Sequence, residues 1–310
     1  MSEPNGKVAI IGSGNVGANT ALLTALLGVA DIALVDIADG LAEGRALDIS
    51  QALAILQLDD RVTGGSDFKL IEGADVVVIT AGSPRAPGMS RVDLLHKNAT
   101  AVKAICAEIK KRTPDAIVVV VTNPVDIMTY LAWRETGFKP QKVFGMGGLL
   151  DSGRFTHFLS VASGALPSST KAIVIGSHDD NMVPVASLAN MDKRRFRDLI
   201  GKESLSATVD QTKHGGAQIV KLLKTGSAAY GPAAALSTML NAIIVGDGQN
   251  FSVCCQPHGE YGLRDIYINL PAKLGAGGVE QIIELKISGK EKKALELGAS
   301  SIRDMLKELD

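Results

Sequence analysis

The stretch Val8-Ala9-Ile10-Ile11-Gly12-Ser13-Gly14-Asn15-Val16-Gly17 decides the fold of this chain. Its four leading apolar residues predict a buried strand, and the apolar spacing from 15 to 28 predicts a helix. The glycines between them fit G-x-G-x-x-G, a pattern that indicates dinucleotide binding only in this strand-to-helix context. The first glycine permits a tight turn, the second admits a pyrophosphate and the third allows close helix packing. The residues expected to bind cofactor phosphates at the helix N-terminus are Gly12, Ser13, Gly14, Asn15, Val16 and Gly17.

Strands and helices alternate through the first half of the chain. Further apolar runs occupy residues 32–35, 75–80 and 116–122. The last two are rich in β-branched side chains, which suit strands that are covered on both faces. Residues 90–112 predict a helix with Ser90 as its N-cap. This alternation predicts an α/β fold with a Rossmann-type, doubly wound parallel sheet.

The second half of the chain predicts an α+β domain. Its elements are a helix after Gly148, a strand at 171–176, helices near 203–224 and 229–246, short strands near 250–256 and 266–270, and a helix near 290–309. We expect a boundary near residue 148 without a flexible linker. The predicted domains are therefore residues 1–148, which bind the cofactor, and residues 149–310, which bind the substrate and contain the catalytic groups.

Composition and charge argue against several classes of protein. The 310 residues are 46% hydrophobic and 21% charged with a net charge of -1, which is typical of a globular protein. The chain has no basic tract and only 4% aromatic residues, so we expect no nucleic-acid partner. It has neither a secretory signal nor an apolar run of roughly 18 residues, so we expect no membrane partner. No metal site is predicted.

The cysteines do not form a disulfide pattern. Cys106, Cys254 and Cys255 are odd in number and have no repeated spacing. We expect all three to be small core residues of a protein in the reducing cytoplasm.

Asp36 follows the second predicted strand, 24 positions after Gly12. A carboxylate at this place accepts hydrogen bonds from the ribose diol of NAD and repels the 2′-phosphate of NADP. The alternative is an ordinary acidic residue in a turn. Given the upstream glycines, the sequence favours NAD as the cofactor.

Two segments that follow predicted strands carry side chains suited to substrate binding. Arg85 and Arg91 lie six residues apart in a segment rich in Gly and Pro, which predicts either a mobile lid or a solvated loop. Asn123 precedes Pro124, where its amide either bridges cofactor and substrate or makes a simple turn. Each alternative stays open at this level.

Two further segments in the second half carry groups that suit proton transfer. Asp151 and Arg154 are three residues apart on one helix face, which suits either a site or an intrahelical ion pair. His178 ends a predicted strand, and an isolated histidine is more often structural than catalytic.

These motifs, in this order and spacing, resemble the malate dehydrogenases of the lactate-dehydrogenase-like group. The resemblance covers nearly the whole chain, from Lys7 to the C-terminal helix. It rests on the glycine loop, Asp36, the Arg85/Arg91 loop, Thr122-Asn123-Pro124, Asp151-x-x-Arg154 and the segment around His178. It implies an NAD-dependent oxidoreductase that interconverts (S)-malate and oxaloacetate in the tricarboxylic acid cycle.

The resemblance also implies a role for each candidate residue. His178 would be the general acid/base, and Asp151 would fix its tautomer. Arg154 would bind the C1 carboxylate as a bidentate fork, and Arg91 would polarise the reacting carbonyl. Asn123 would hydrogen-bond the substrate oxygen, and Ser227 would line the substrate pocket. The residues that would line the cofactor are Asn98, Val121, Thr122 and Asn123.

Arg85 is the position that the resemblance makes decisive for the substrate. An arginine there would pair with the second carboxylate of malate or oxaloacetate. The methyl group of lactate or pyruvate would leave the guanidinium unpaired, at a cost on the order of 2–5 kcal/mol. Lactate-type enzymes in this resemblance carry Gln at that position. Lactate dehydrogenase, or another 2-hydroxyacid dehydrogenase, remains the alternative.

One residue departs from the family pattern. Asp179 stands directly after His178, where the family usually has Gly. We expect Asp179 either to strain the strand end or to raise the pKa of His178 and disfavour a dianionic substrate. This departure is the one feature that favours a non-catalytic NAD-binding protein. The resemblance further implies a cytoplasmic homo-oligomer, a tetramer rather than a dimer.

Overall fold

The computed structural model describes residues 6–59, 61–83 and 91–309, without the side chain of Arg91. The helices are α1 Asn15–Leu26, α2 Leu41–Ile55, α3 Arg91–Arg112, α4 Val125–Thr136, α5 Gly148–Ser163, α6 Phe196–Leu223, α7 Tyr230–Val245 and α8 Gly289–Leu306. The strands are β1 Lys7–Ile11, β2 Asp31–Val35, β3 Val62–Gly65, β4 Val76–Ile79, β5 Ile117–Val120, β6 Val143–Gly145, β7 Thr170–Lys171, β8 Val174–Ile175, β9 Val183–Pro184, β10 Asn190–Met191, β11 Arg194–Arg195, β12 Gln249–Cys255, β13 Ile268–Gly275 and β14 Gly278–Ile282. Within the described ranges, no helix is both long enough and apolar enough to cross a membrane.

The first six strands form the predicted parallel sheet. Their order is β3-β2-β1-β4-β5-β6, and every neighbouring pair among them is parallel. All residues of β4 and β5 are buried, because helices cover both faces of the sheet. The strand order reverses between β1 and β4, and ligands of such sheets bind beyond the carboxyl ends of the strands at this point. The fold prediction is confirmed.

Three strands from the second half extend this sheet. β12 joins the edge of β6 in antiparallel fashion through Cys254 and Gly145, and β13 and β14 follow. The main hydrophobic core also continues across residue 148, from Val8 in β1 to Ile302 in α8. A smaller core between α5 and α6 includes Phe155 and Phe196. The domain boundary near residue 148 stays a prediction.

Several local predictions are corrected by the structure. The structure contains β3 and α2, which the sequence did not predict. β3 has the sequence Val-Thr-Gly-Gly and lacks a β-branched run. The run at 75–80 is therefore the fourth strand, not the third, and Asn123 follows the fifth. The expected strand 171–176 is divided into β7 and β8, and β14 was missed.

The fully buried positions of helix α1 are small residues rather than leucines. Its buried positions include Gly17, Ala18, Ala21 and Ala25, whereas Leu26 is exposed. Small side chains let α1 approach the sheet and α7 closely, and this proximity holds the N-terminus of the helix beside the carboxyl end of β1.

Candidate active site

The glycine loop connects β1 to α1 by a turn that larger residues cannot make. Gly12 has a φ of 107°, and a Cβ there would lie 2.5 Å from the backbone nitrogen of Ala81. A Cβ at Gly17 would lie 1.9 Å from the carbonyl oxygen of Gly12. A Cβ at Gly14, in contrast, would have no described atom within 4 Å. The first and third glycines therefore hold the loop together, and the second leaves an open face at the helix N-terminus.

Asp36 contacts the glycine loop directly. Its Oδ2 accepts a hydrogen bond from the backbone N–H of Ser13 at 2.6 Å, and its Oδ1 accepts one from Ala38 at 2.9 Å. The Ser13 hydroxyl is buried and has no partner among the described atoms. An orphaned hydroxyl, an open helix N-terminus and an adjacent carboxylate together fit the phosphates and ribose of a dinucleotide.

The loops after β4 and β5 are tied together by polar side chains. The Nδ2 of buried Asn98 donates to the carbonyl of Asn123 at 2.7 Å, and its Oδ1 accepts the Ser83 N–H at 2.8 Å. Thr122 donates from its hydroxyl to the carbonyl of Ala81 at 2.6 Å. Asn98 and Thr122 therefore support the backbone at the sheet edge, and their predicted contact with a cofactor stays a prediction, as does that of Val121.

His178, Asp151 and Arg154 form one hydrogen-bonded group. The Nδ1 of His178 lies 2.6 Å from the Oδ2 of Asp151, and the Nη1 of Arg154 donates to Oδ1 of the same carboxylate at 2.9 Å. Asp151 is 1% exposed, whereas the side chains of His178 and Arg154 are 14% and 16% exposed. The buried carboxylate thus holds two partly accessible groups through its two oxygens.

The surroundings of His178 favour its protonated form. Burial lowers the pKa of the imidazole, but the charge and hydrogen bond of Asp151, with the charge of Asp126, outweigh that effect. The nearby Arg154 opposes the rise. The net effect is a raised pKa, which suits a group that gives a proton at neutral pH and takes it back.

The Arg154 guanidinium lies against two glycines of α6. A Cβ at Gly216 would come 3.3 Å from its Nη2, and a Cβ at Gly215 would come 3.6 Å from its Cδ. Its Nε is buried and lacks a partner among the described atoms. A partly accessible guanidinium beside two glycines suits a ligand carboxylate.

A cavity of about 290 Å³ brings the two halves of the site together. It is lined by Asn123 and Asp126 from the first half and by His178 and Met305 from the second. Asn123 and His178, which are distant in sequence, therefore face one cavity. A second cavity, about 410 Å³, lies by Arg112 and Lys142, whose charged ends already bind Glu72, Glu108 and the Asp115 carbonyl.

For three of the predicted substrate residues, the structure describes no contact with His178. Arg85 and the predicted N-cap Ser90 lie outside the described residues, as does the side chain of Arg91, the first residue of α3. Ser227 is exposed in the loop between α6 and α7, and in the described part of the chain no hydrogen bond connects it to His178 or Arg154. The roles of Arg85, Arg91 and Ser227 stay predictions.

The backbone strain expected from Asp179 is absent. Its φ is not positive, so no backbone strain follows from the loss of a glycine. Its Oδ1 accepts hydrogen bonds from the Ser177 hydroxyl at 2.7 Å and the Asn181 N–H at 2.8 Å. These bonds hold the carboxylate in its own turn, and the expected effects of its charge on the pKa of His178 and on a dianionic substrate stay predictions.

Sequence reasoning missed the residues that support His178 from behind. Asp126 accepts the backbone N–H of His178, and Asn269 and Cys254 donate to Asp126. All three cysteines are buried and free, as expected, but Cys254 is more than a filler of the core. The available signal was an acidic residue in the first turn of α4, directly after Asn123 and Pro124.

Two family profiles match consecutive parts of the chain. One describes the NAD binding domain of lactate/malate dehydrogenase and covers residues 6–145, and the other describes the alpha/beta C-terminal domain of the same family and covers residues 149–309. Together they span nearly all of the sequence.

Individual relatives agree with these profiles. A malate dehydrogenase from Desulforudis audaxviator is 42% identical over 304 residues, 98% of either chain. The crystal structure of malate dehydrogenase from Cryptosporidium parvum superposes with a TM-score of 0.95, 34% identity and 98% coverage of both chains. A lactate dehydrogenase from the same organism, complexed with lactic acid and nicotinamide adenine dinucleotide, has a TM-score of 0.94 and 35% identity and covers 100% of this chain and 99% of its own. The fold thus accommodates both activities.

Proposed function

Because the chain belongs to the lactate/malate dehydrogenase family, we propose that it catalyses the reversible, NAD-dependent oxidation of (S)-malate to oxaloacetate. The observation that carries the proposal is the buried Asp151 carboxylate, which holds His178 and Arg154 beside each other. A hydride-transfer reaction on a 2-hydroxy acid needs a proton carrier and a carboxylate anchor near each other, and these two side chains provide them.

His178 acts as the proton carrier in both directions. During oxidation, its Nε2 takes the proton of the C2 hydroxyl, and Asp151 stabilises the imidazolium through Nδ1. During reduction, the raised pKa of His178 keeps the proton available for the carbonyl oxygen. When bound, NAD supplies the acceptor for the hydride that leaves C2.

The other groups position the substrate. Arg154 binds the C1 carboxylate as a bidentate fork, and the glycines of α6 leave room for this guanidinium. Asn123 hydrogen-bonds the reacting oxygen from the opposite wall of the cavity. Arg91 polarises the carbonyl, and Ser227 contributes to the pocket.

Malate is proposed over lactate because of Arg85. An arginine at that position neutralises the second carboxylate of a dicarboxylate substrate, and an uncharged methyl group leaves it unpaired. Relatives that are 41–42% identical to this chain are malate dehydrogenases, which supports the same choice. Lactate dehydrogenase is the second candidate, because lactate dehydrogenases share the fold.

The proposed cofactor is NAD rather than NADP. The Asp36 carboxylate lies against the glycine loop, where it would accept hydrogen bonds from the two ribose hydroxyls. A 2′-phosphate at the same place would meet a negative charge. Gly12 to Gly17 would hold the pyrophosphate at the start of α1, and Asn98, Val121, Thr122 and Asn123 would line the nicotinamide side.

The decisive experiment compares kcat/KM for oxaloacetate and for pyruvate with NADH and with NADPH. We expect oxaloacetate with NADH to be preferred, and we expect Arg85→Gln to narrow or reverse the substrate preference. A wild-type preference for pyruvate contradicts the role of Arg85. A preference for NADPH contradicts the role of Asp36.

A non-catalytic NAD-binding protein is the rival from another class. This rival is supported if the wild-type protein does not oxidise NADH, or if the oxidation is unchanged in His178→Asn. We expect oxidation that is lost in His178→Asn.

We also propose a cytoplasmic homo-oligomer, a tetramer rather than a dimer, with functional domains divided near residue 148. Exposed apolar side chains on α2 and α6, such as Ile55 and Leu222, support the formation of subunit interfaces. Light scattering of the purified protein tests the tetramer, and a monomer in solution contradicts it.

A further inference from the structure

Asp126 is a buried carboxylate to which the proposed reaction assigns no role. It lies in the first turn of α4, is 6% exposed and borders the same cavity as His178. Its Oδ2 accepts the backbone N–H of His178 at 2.8 Å. Asp151 holds the imidazole from α5, so two carboxylates contact one histidine, one through the ring and one through the backbone.

The partners of Asp126 indicate that it is ionised. Besides the N–H of His178, the Cys254 thiol and the Nδ2 of Asn269 donate to its Oδ1, each at 3.3 Å. The amide of Asn269 is oriented by the backbone, because its Oδ1 accepts the Gly148 N–H and its Nδ2 donates to the Gly176 carbonyl. All three partners of Asp126 therefore donate, and a protonated carboxyl would turn one of its acceptors into a competing donor.

The charges around Asp126 and His178 agree with this arrangement. Burial raises the pKa of Asp126 to about 6, while the N–H and charge of His178 and the Cys254 thiol hold it down, and Asp179 raises it slightly. Among the described residues, Asp151 and Asp126 raise the pKa of His178, and Arg154 lowers it. Near neutral pH, the described groups leave Asp126 negative beside a histidine that gains a proton.

Asp126 also connects the two walls of the cavity. Asn123 lies three residues before it, on the loop after β5, whereas His178 follows β8 in the second half of the chain. Asn269 of β13 holds Gly176 through two backbone hydrogen bonds of 2.8 and 3.1 Å, and through its side chain at 3.0 Å. The position of His178 relative to Asn123 therefore depends on Asp126 and Asn269.

We propose that Asp126 is a positioning residue that holds His178 from its backbone side, and that its charge favours the protonated imidazole needed for carbonyl reduction. The proposal rests on the proposed dehydrogenase activity for its kinetic consequence only. The contact and the charge act on His178 whatever the substrate. Cys254 and Asn269 keep Asp126 ionised by donating to it.

The test uses Asp126→Asn, which keeps the shape and removes the charge. Asp115→Asn is the matched control, because Asp115 is exposed and precedes β5, at the amino end of the parallel strands. Two readouts are taken against pH: kcat/KM for oxaloacetate with NADH, and the rate at which diethyl pyrocarbonate modifies His178, followed by mass spectrometry of its peptide. The second readout needs no activity.

We expect Asp126→Asn to lower the pKa of His178 by about one unit, the lower end of the effect of an opposite charge at this range. Above that pKa, kcat/KM for oxaloacetate falls by about tenfold, since each unit changes the protonated fraction tenfold. The modification profile moves by the same amount, and Asp115→Asn leaves both profiles in place. Unshifted profiles in Asp126→Asn, or an equal loss at every pH, overturn the proposal.

A second variant keeps the test decisive if Asp126→Asn does not fold. Cys254→Ala removes one donor to the carboxylate, which raises the pKa of Asp126 and therefore lowers the pKa of His178 in the same direction by a smaller amount. Unshifted profiles in this folded variant overturn the proposal. A shifted modification profile in a protein that does not reduce oxaloacetate supports the role of Asp126 and contradicts the proposed function instead.

Discussion

The second and third glycines of the dinucleotide loop are expected to fail in opposite ways when each is replaced by alanine. A Cβ at Gly17 would lie 1.9 Å from the Gly12 carbonyl oxygen, a backbone atom that cannot rotate away. A Cβ at Gly14 would meet no described atom within 4 Å, and the backbone there has an ordinary φ of -66°. Gly17→Ala should therefore damage the fold, and Gly14→Ala should damage only what binds to the loop.

The expected magnitudes follow from packing. Overfilling a closely packed site costs about 1–3 kcal/mol, and Gly17→Ala should reach the upper end because the clash is with the backbone. Gly14→Ala changes an N-cap residue and should cost less than about 1 kcal/mol of stability. If the pyrophosphate lies against Gly14, the same overpacking appears in binding and raises the Kd for NADH roughly 10- to 100-fold.

The assays are thermal unfolding and titration of NADH fluorescence. Gly44→Ala is the control, since Gly44 is an exposed residue within α2 whose Cβ would also meet no described atom within 4 Å. Replacing it should raise stability by about 0.5–1 kcal/mol and leave the NADH affinity unchanged. Wild-type NADH affinity in Gly14→Ala, or a wild-type unfolding temperature in Gly17→Ala, would refute the reasoning.

Three further predictions concern the substrate anchor, the cofactor and the buried acid. Gly216→Ala places a Cβ 3.3 Å from the Nη2 of Arg154, so KM for oxaloacetate should rise about tenfold with little change in kcat. Gly153→Ala, on the open side of α5, is the control and should leave KM unchanged. An unchanged KM in Gly216→Ala contradicts the contact. Asp36→Ser should raise KM for NADH and lower KM for NADPH, and a parallel loss with both cofactors counts against the ribose role. The pKa of Asp126 is raised from 3.8 to about 6, so its ionisation destabilises the folded state, with no cost below about pH 4 and the full cost above pH 6. The unfolding free energy of Asp126→Asn relative to wild type should therefore rise by up to about 3 kcal/mol between those pH values, and a difference that is flat with pH is the contrary result.

The nucleotide half of the fold was accessible from the sequence because its signals are local. The apolar run before Gly12, the glycine spacing and the β-branched runs that became β4 and β5 each lie within ten residues. β3 and β14 were missed because short strands that contain glycine have no distinct periodicity of their own. Their pairing with β2 and β13 decides their conformation.

The site was accessible only in part. The chemical types of His178, Asp151 and Arg154 suggested a proton carrier, its partner and an anchor, and the structure brings these three side chains together. The strain expected from Asp179 is absent, because its φ is not positive and the adjacent turn accommodates its carboxylate. A sequence shows that two residues are neighbours in the chain, but not which way the second side chain points.

The sequence by itself determined a Rossmann-type half with a dinucleotide loop at Gly12 to Gly17, because strand, turn and helix are local and their periodicities can be read directly. Only the tertiary structure showed which residues hold the backbone of His178. Asp126 is 52 residues from His178 and 143 from Asn269, and these pairs meet only because strands from the second half extend the first sheet. The dinucleotide loop is thus a property of ten consecutive residues, whereas the support of the catalytic histidine is a property of the assembled sheet.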